Sequence, residues 1–262
     1  MARVGAPLRA FAGVLASWAV LILLLVGWEL VARSGFVTAY MLPPFTDVVA
    51  RIFHDATDGN LAESAALTLY RALTGFAIAA AGGTALGLAM SRNGGVRWFF
   101  DPLISVGFPM PKIAFLPIIV LWLGFYDVSK ISMVVFDAIF PVVTATLAGL
   151  AGVERELIWS ARNLGARDRE LLWQVMLPAA LPQIMTGLQV ALPIALIVAV
   201  IAEMKMSGYG IGAAMMTASR FADSRGVFAG IVEIAVIGYV LVKGMALLRR
   251  RLLAWHAEAS NQ

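Results

Sequence analysis

An all-α, polytopic membrane protein with six transmembrane helices, the third of them kinked, is the fold class that this 262-residue sequence predicts. Three observations predict it. The chain is 61% hydrophobic and only 14% charged, whereas a soluble domain runs at about 45–50% apolar and about 25% charged. Apolar stretches of roughly the 20 residues that cross a bilayer recur six times. One of those stretches holds three prolines within nine residues, "PMPKIAFLP".

The spans follow in order. The first is Phe11–Ala32. It follows Arg3 and Arg9, as a signal peptide would, but its apolar run is too long for an h-region and no small-x-small cleavage site ends it. It reads as a retained span. The second, about Thr68–Met90, carries Gly83 and Gly87 at the small-xxx-small spacing that lets helices approach closely. The third, about Pro102–Gly124, is interrupted by Pro109, Pro111 and Pro117. Proline removes an N–H and clashes with the preceding turn, so this span is bent or discontinuous. Such backbone is tolerated at membrane depth only where protein or water covers it, and transporters build substrate paths at such breaks. A kink that serves only packing is the plainer alternative. The fourth span is about Ile131–Leu150, the fifth about Ile184–Met204 and the sixth about Val227–Leu248.

Between spans one and two, "FTDVVARIFHDATDG" repeats apolar residues at helical intervals and reads as a short interfacial helix within 45–66. Between spans five and six, 205–226 is glycine-rich and then polar. Gly208, Gly210 and Gly212 fit no nucleotide fingerprint, having neither its spacing nor a preceding strand. A re-entrant or bent connector is expected there.

The basic residues orient the chain. With the N-terminus inside, the inner segments hold Arg3, Arg9, Arg92, Arg97, Arg155, Arg162, Arg167, Arg169, Lys243, Arg249, Arg250 and Arg251, twelve in all. The outer segments hold Arg33, Arg51, Lys130, Lys205, Arg220 and Arg225, six. The positive-inside rule then places both termini in the cytoplasm. The net charge of +4 does not point to nucleic acid, because the basic residues flank apolar segments and form no separate face or tail.

Enzyme chemistry finds little footing. There is no cysteine, hence no disulfide, thiolate nucleophile or Cys-based metal site. His54 and His256 lie far apart in sequence near aqueous regions and read as surface residues; no metal site is expected. No P-loop, HExxH or G-x-S-x-G pattern occurs, so any ATP must bind another chain. Charges inside spans are the functional candidates, since they cost a few kcal/mol on insertion scales. Asp137 sits in the middle of span four, Lys112 between the prolines of span three, and Glu203 at the end of span five. Snorkelling or a structural ion pair would explain Lys112 and Glu203. Alternatively Lys112 lines a polar pathway and pairs with Asp137 or attracts an anion. A secondary transporter driven by an ion gradient, with Asp137 and Lys112 as coupling charges, is the rival reading.

One segment does not belong in lipid. From Val153 to Met176 the pattern is helical and charged. Leu157, Ala161 and Leu164 form one apolar stripe; Leu171, Leu172, Val175 and Met176 form another. Gly165 between them reads as a helix C-cap. Two short helices with a sharp joint on the cytoplasmic face are expected, with Pro178 and Pro182 setting the entry into span five. A helix with one apolar face suits a groove on a partner protein.

The spacing of "SARNLGARDRELLWQVMLP" resembles the EAA loop of ABC-importer permeases: E-A-A, three residues, Gly, nine residues, Ile, one residue, Leu-Pro. Trp159, Ser160 and Ala161 fall in the EAA slots, Gly165 is the glycine, Val175 takes the isoleucine slot, and Leu177–Pro178 ends the motif. "GWELVARSG…MLPPFTDV", "PKIAFLPIIVLWLGFYDVSKI" and "AEMKMSGYGIG" are similar to the nitrate/sulfonate/taurine-type permeases, over about residues 25–250. The resemblance implies a type I ABC importer permease fold. It divides the chain into 1–62, an N-terminal helix and external segment, 63–248, the permease domain with its coupling loop 153–178, and 249–262, a cytoplasmic basic tail. It implies a non-catalytic subunit of the cell inner membrane, working as two permease copies with two ATPase subunits and an external substrate-binding protein. The cofactors, ATP and Mg, sit on the ATPase. Trp159, Ser160, Ala161, Leu164, Gly165, Ala166, Leu177 and Pro178 would couple to the ATPase, with Trp159 standing where the family has Glu. Pro109, Pro111, Lys112, Pro117, Trp122, Asp137 and Glu203 would line the translocation path. The implied cargo is a small anionic solute of the sulfonate, nitrate, taurine or aromatic-acid type, with a vitamin or thiamine precursor as the alternative. The topology is testable: a reporter fused after Gln262 is expected to be active only in its cytoplasmic form.

Overall fold

The computed structural model describes residues 5–57, 59, 61–206 and 208–255, with side chains from residue 19 onward. Its elements are helices: α1 (Gly5–Arg33), α2 (Phe45–Thr57), α3 (Leu61–Arg92), α4 (Gly94–Gly107), a 3-10 turn (Lys112–Phe115), α5 (Leu116–Leu123), α6 (Asp127–Ala151), α7 (Arg155–Asn163), α8 (Asp168–Glu170), a π turn (Leu171–Met176), α9 (Leu177–Met206), α10 (Ile211–Arg220) and α11 (Ser224–Leu252). Among the described residues no strand occurs.

Among the described residues, four helical runs are long and apolar enough to cross a membrane: Leu61–Arg92, Asp127–Ala151, Asp168–Met206 and Ser224–Leu252. The bent pair Gly94–Gly107 and Lys112–Leu123, which meet at 99°, passes the same test only taken together, as a broken span or a re-entrant loop. The expected first span lies within α1, a helix of 29 residues; the side chains of residues 5–18 lie outside the described set. So do Arg3, His256 and residues 256–262 of the expected tail.

The expected boundaries shift in two places. The third span is longer, beginning at Gly94 rather than Pro102, and its break is sharper than a kink. Pro109 and Pro111 occupy the turn, but Pro117 does not interrupt anything. It sits in the first turn of α5, where its missing N–H would have had no helical partner anyway. The fifth span begins at Asp168, not Ile184, so the second of the two short helices is not a separate element. α8 continues through the π turn into α9 as a run of 39 residues. Within it the Leu177 amide donates to the Leu172 carbonyl, one residue further back than in an α-helix. That wider turn carries the chain to Pro178 without a break, and Pro182 and Pro193 lie inside the helix.

The described residues form two compact units. One comprises Met1–Ala62 and Ala214–Glu233. Its hub is Trp28, whose Nε1 donates to the Pro43 carbonyl at 2.9 Å and whose ring meets Phe45 and Phe228 at 5.4 and 5.6 Å. The expected interfacial helix is α2. It buries Val48 and leaves Phe53 exposed. Arg51 links it to Asp223 at 2.7 Å. Burial pushes the Asp223 carboxyl up, but the Gly226 amide and Arg51 outweigh it, so the group titrates below its usual value. The expected connector at 205–226 is a turn followed by α10.

The other unit, Glu63–Ala213 and Ile234–Gln262, is organised by small residues. A Cβ on Gly75 would lie 2.5 Å from Val134, one on Gly83 2.9 Å from Val142, and one on Gly87 2.7 Å from Thr146. α3 and α6 therefore touch along a glycine row. α6 and α9 do the same: Gly187 lies against Ala145 and the Pro141 carbonyl, and Gly149 against Ala180. Ala138, Ala191, Ala195, Ala199 and Ala202 fill the core between them. Gly83 and Gly87 thus act as expected, and Gly75 extends their row. Overpacking a close contact costs about 1–3 kcal/mol. Gly83→Leu is expected to lower the melting temperature of the detergent-solubilised protein markedly, whereas Gly244→Ala, with nothing within 4 Å of its added Cβ, should leave it unchanged.

Candidate functional site

Three clusters of the anticipated residues can be placed. The first is the loop around α7. No residue of this helix is fully buried. Ile158 packs against the cluster formed by Leu150, Val153, Ala180 and Ile184 and so anchors α7 to the ends of α6 and α9. The side opposite Ile158 is polar and open, with Glu156, Ser160 and Asn163; Leu157 and Trp159 (57% exposed) flank it, and the cap residue Leu164 is 89% exposed. The stripe Leu157, Ala161, Leu164 therefore faces outward for the most part, and the anchor Ile158 belongs to a neighbouring row that the sequence pattern does not single out.

Gly165 is the joint. Its φ of +86° is in the left-handed region. The Gly165 amide donates to the Arg162 carbonyl at 2.9 Å and the Ala166 amide to the Ala161 carbonyl at 3.0 Å, the paired bonds of a Schellman C-cap. Nothing lies within 4 Å of a Cβ built on it. Glycine is therefore demanded by backbone conformation alone. Across the joint, the Glu170 carboxylate accepts from the Arg167 amide at 2.8 Å, which caps the next helix. Leu171 and Leu172 are buried while Val175 and Met176 are half-buried. Leu177 is half-buried and Pro178 exposed at the start of α9. The Arg162–Asp168 pair is exposed at 3.8 Å and adds little.

The second cluster is at the break of the third span. Lys112 opens the 3-10 turn and is buried. Its Nζ lies 3.0 Å from Asp137, donates to the Phe108 carbonyl at 3.1 Å, and sits 4.8 Å from the centre of the Phe140 ring. Phe136 stands between Phe115 and Phe140 in edge contacts. Lys112 and Asp137 thus meet, as one of the sequence readings has it. Asp137 keeps 23% of its side chain accessible. Pro109, Pro111, Pro117 and Trp122 are exposed around this break.

Glu203 is not with them. It is 0% exposed, so it does not snorkel. Its Oε1 accepts from Arg71 at 2.6 Å. Its Oε2 faces the Thr68 hydroxyl at 2.9 Å and the Gly212 amide at 3.1 Å. Arg71, itself buried, also donates to the Tyr209 carbonyl at 2.6 Å and holds Asp127 through Nε and Nη2 at 2.8 and 2.7 Å. Sequence reasoning missed this partner. Arg71 does stand in an apolar span, which is itself a signal, but its ligands lie 56 and 132 residues away. Among the described residues no group of three His, Asp or Glu side chains could hold a metal ion.

Comparison with known proteins gives these clusters a context. Residues 74–254 match the family model described as "Binding-protein-dependent transport system inner membrane component". The chain is 35% identical to the taurine transport system permease protein TauC of Escherichia coli, covering 91% of this chain and 88% of that protein. It is 34% identical to the putative aliphatic sulfonates transport permease protein SsuC of Bacillus subtilis, covering 87% and 83%. It is 30% identical to the formylaminopyrimidine transport permease protein ThiX of Halalkalibacterium halodurans, covering 89% and 93%. Two solved structures share the fold. One is an amino acid ABC transporter crystallised with histidines, with TM-score 0.63 and 17% identity over 78% of this chain and 98% of that one. The other is an inward-facing MetNI methionine ABC transporter, with TM-score 0.59 and 16% identity over 78% and 96%. Helical architecture, an exposed loop helix before the fifth span, and this degree of relatedness agree: the chain belongs to the binding-protein-dependent transport system inner membrane components, as an ABC importer permease of the sulfonate and taurine group.

Proposed function

We propose that α7 is the helix through which a separate ATPase drives this permease. The observation that carries the proposal is that Trp159 and the cap residue Leu164 project large apolar side chains into the open from a helix anchored by Ile158. Exposed apolar side chains among charges on a short, anchored helix suit a cleft on a soluble partner, and Trp is a frequent anchor in such interfaces. Trp159 occupies the position of the family's glutamate, so docking here relies on apolar burial where relatives of the usual pattern have a charge. Ser160, Ala161, Ala166, Leu177 and Pro178 complete the loop.

The transporter in this reading is two copies of this chain, two ATPase subunits that hold ATP and Mg, and an external binding protein. Both termini face the cytoplasm, and the loop 153–178 of the permease domain 63–248 meets the ATPase there. When the ATPase subunits close on nucleotide, α7 moves with them. The Schellman turn passes that motion to the run Asp168–Met206. The spans then switch the path from inward- to outward-open, and the solute released by the binding protein enters and leaves inside after hydrolysis. This chain performs no covalent step. The permease relatives favour a small sulfonate or taurine-like solute, and a thiamine-precursor cargo has the support of one relative. The bent third span, with Lys112 and Asp137 at its break, lines the path; Pro109, Pro111, Pro117 and Trp122 shape it.

Two experiments test this reading. In the left-handed region a side chain costs roughly 1–2 kcal/mol, least for Asn. Gly165→Val in the reconstituted complex is therefore expected to abolish uptake while Gly165→Asn keeps much of it; equal uptake by both would reject the coupling role. Breaking a buried ion pair costs about 3–5 kcal/mol, whereas apolar replacement of both partners is often neutral. Asp137→Asn should lower the yield of folded protein, and Lys112→Met with Asp137→Leu should restore the yield without restoring uptake. Restored uptake would confine the pair to a structural role.

A further inference from the structure

The buried Arg71–Glu203 assembly lies at one end of the helical run whose other end is the Gly165 joint. That run is 39 residues, Asp168 to Met206, or about 58 Å at about 1.5 Å per residue. Beyond Met206 the chain turns through Gly208 and Gly210, both with φ in the left-handed region, +106° and +125°. A Cβ on Gly210 would strike the Glu203 carboxylate. The turn therefore wraps the carboxylate closely, and only glycine fits.

The bonds around it join three helix ends. Glu203 ends α9 and accepts the Gly212 amide in the first turn of α10, where a carboxylate meets the positive end of the helix dipole. The neighbouring Ile211 amide donates to the Thr68 hydroxyl of α3 at 3.0 Å. Arg71 of α3 reaches the Tyr209 carbonyl in the turn and Asp127 in the first turn of α6. Desolvating these charges is costly and the pair is a poor source of net stability. What it does supply is a single arrangement: with its ligands fixed, α9 cannot shift lengthwise without carrying the turn 208–210 or breaking the pair.

We propose that Arg71 and Glu203 are positioning residues for transport: they clamp the far end of the α8–α9 run to the turn 208–210, so that movement at the Gly165 joint is delivered to that turn. The inference rests on α7 being the ATPase-coupled helix. Weakening the clamp should leave the ATPase partner working on a lever with a loose end.

The test uses the complete transporter with its ATPase and binding protein in proteoliposomes. The chain has no cysteine, so Tyr209→Cys, at an exposed side chain, is its single thiol. The rate of maleimide modification of this chain, read by mass, is compared with and without trapping by ADP and vanadate. Coupling between sites typically amounts to about 5–150-fold, so a change of at least about fivefold on trapping is expected. Glu203→Gln should remove that change while ATP hydrolysis continues unmatched by uptake, and Glu203→Asp should recover part of both. Should Glu203→Gln fail to assemble, Asp127→Asn, at a half-exposed position, is expected to reduce the same change. Retention of the full change in the variants that assemble, or its absence in a wild-type complex that imports, overturns the clamp. A wild-type complex whose uptake does not depend on ATP overturns instead the proposed function on which it stands.

Discussion

The approach of α3, α6 and α9 through glycine and alanine is the constraint on which the rest depends. In a membrane, apolar side chains gain little by leaving lipid for one another, so helices associate through close packing and hydrogen bonds. Here Gly75, Gly83 and Gly87 receive α6, and Gly187 and Gly149 bring α6 and α9 together. Only at that short separation do Arg71, Asp127 and Glu203, from three helices, come within hydrogen-bonding range. A bulky residue in the glycine row would not merely strain the contact. It would also move the ligands of a buried charge, and a charge without its ligands is far more costly than a poorly packed methyl group.

That dependence explains what the sequence discloses and what it hides. Hydropathy finds the second, fourth, fifth and sixth spans, because lipid contact is a property of each stretch by itself. Gly165 is legible for the same reason: a left-handed joint after an amphipathic turn is a local requirement, met by one residue type. The three prolines of "PMPKIAFLP" announce a break, although Pro117 proves to begin a helix, a distinction that depends on where the preceding turn ends. The fifth span starts earlier than its apolar run because α8 is charged. Asp168, Arg169 and Glu170 read as part of a separate short cytoplasmic helix, yet a π turn joins them to α9 and only the backbone reveals it.

The ionic clusters are the least legible parts. Lys112 and Asp137 each stand out as an intramembrane charge, and a pairing between them is one natural inference. Glu203 stands out too, but its partner lies 132 residues earlier in a helix whose apolar pattern gives no register against α9. Nothing local distinguishes Arg71 from an arginine that reaches the interface. Which charges meet is decided by the glycine rows, and so by tertiary packing rather than by any motif.

The two buried pairs then differ in what their surroundings permit. Glu203 is fully enclosed, with every ligand drawn from backbone or from a side chain whose remaining groups are also engaged. Such a site has one low-energy arrangement, so it fixes the ends of the helices it joins against one another. Lys112 has a carbonyl, an aromatic face and one carboxylate, and Asp137 is still partly accessible. The Asp137 carboxylate therefore stays partly accessible with the pair intact, and Lys112 beside it offsets its charge. The broken third span makes this possible, because its turn places backbone carbonyl and ammonium side by side where an unbroken helix would bury the one and project the other into lipid. Rigidity at Glu203 and access at Asp137 are thus consequences of the same rule, that charge at membrane depth persists only where protein supplies the missing solvation.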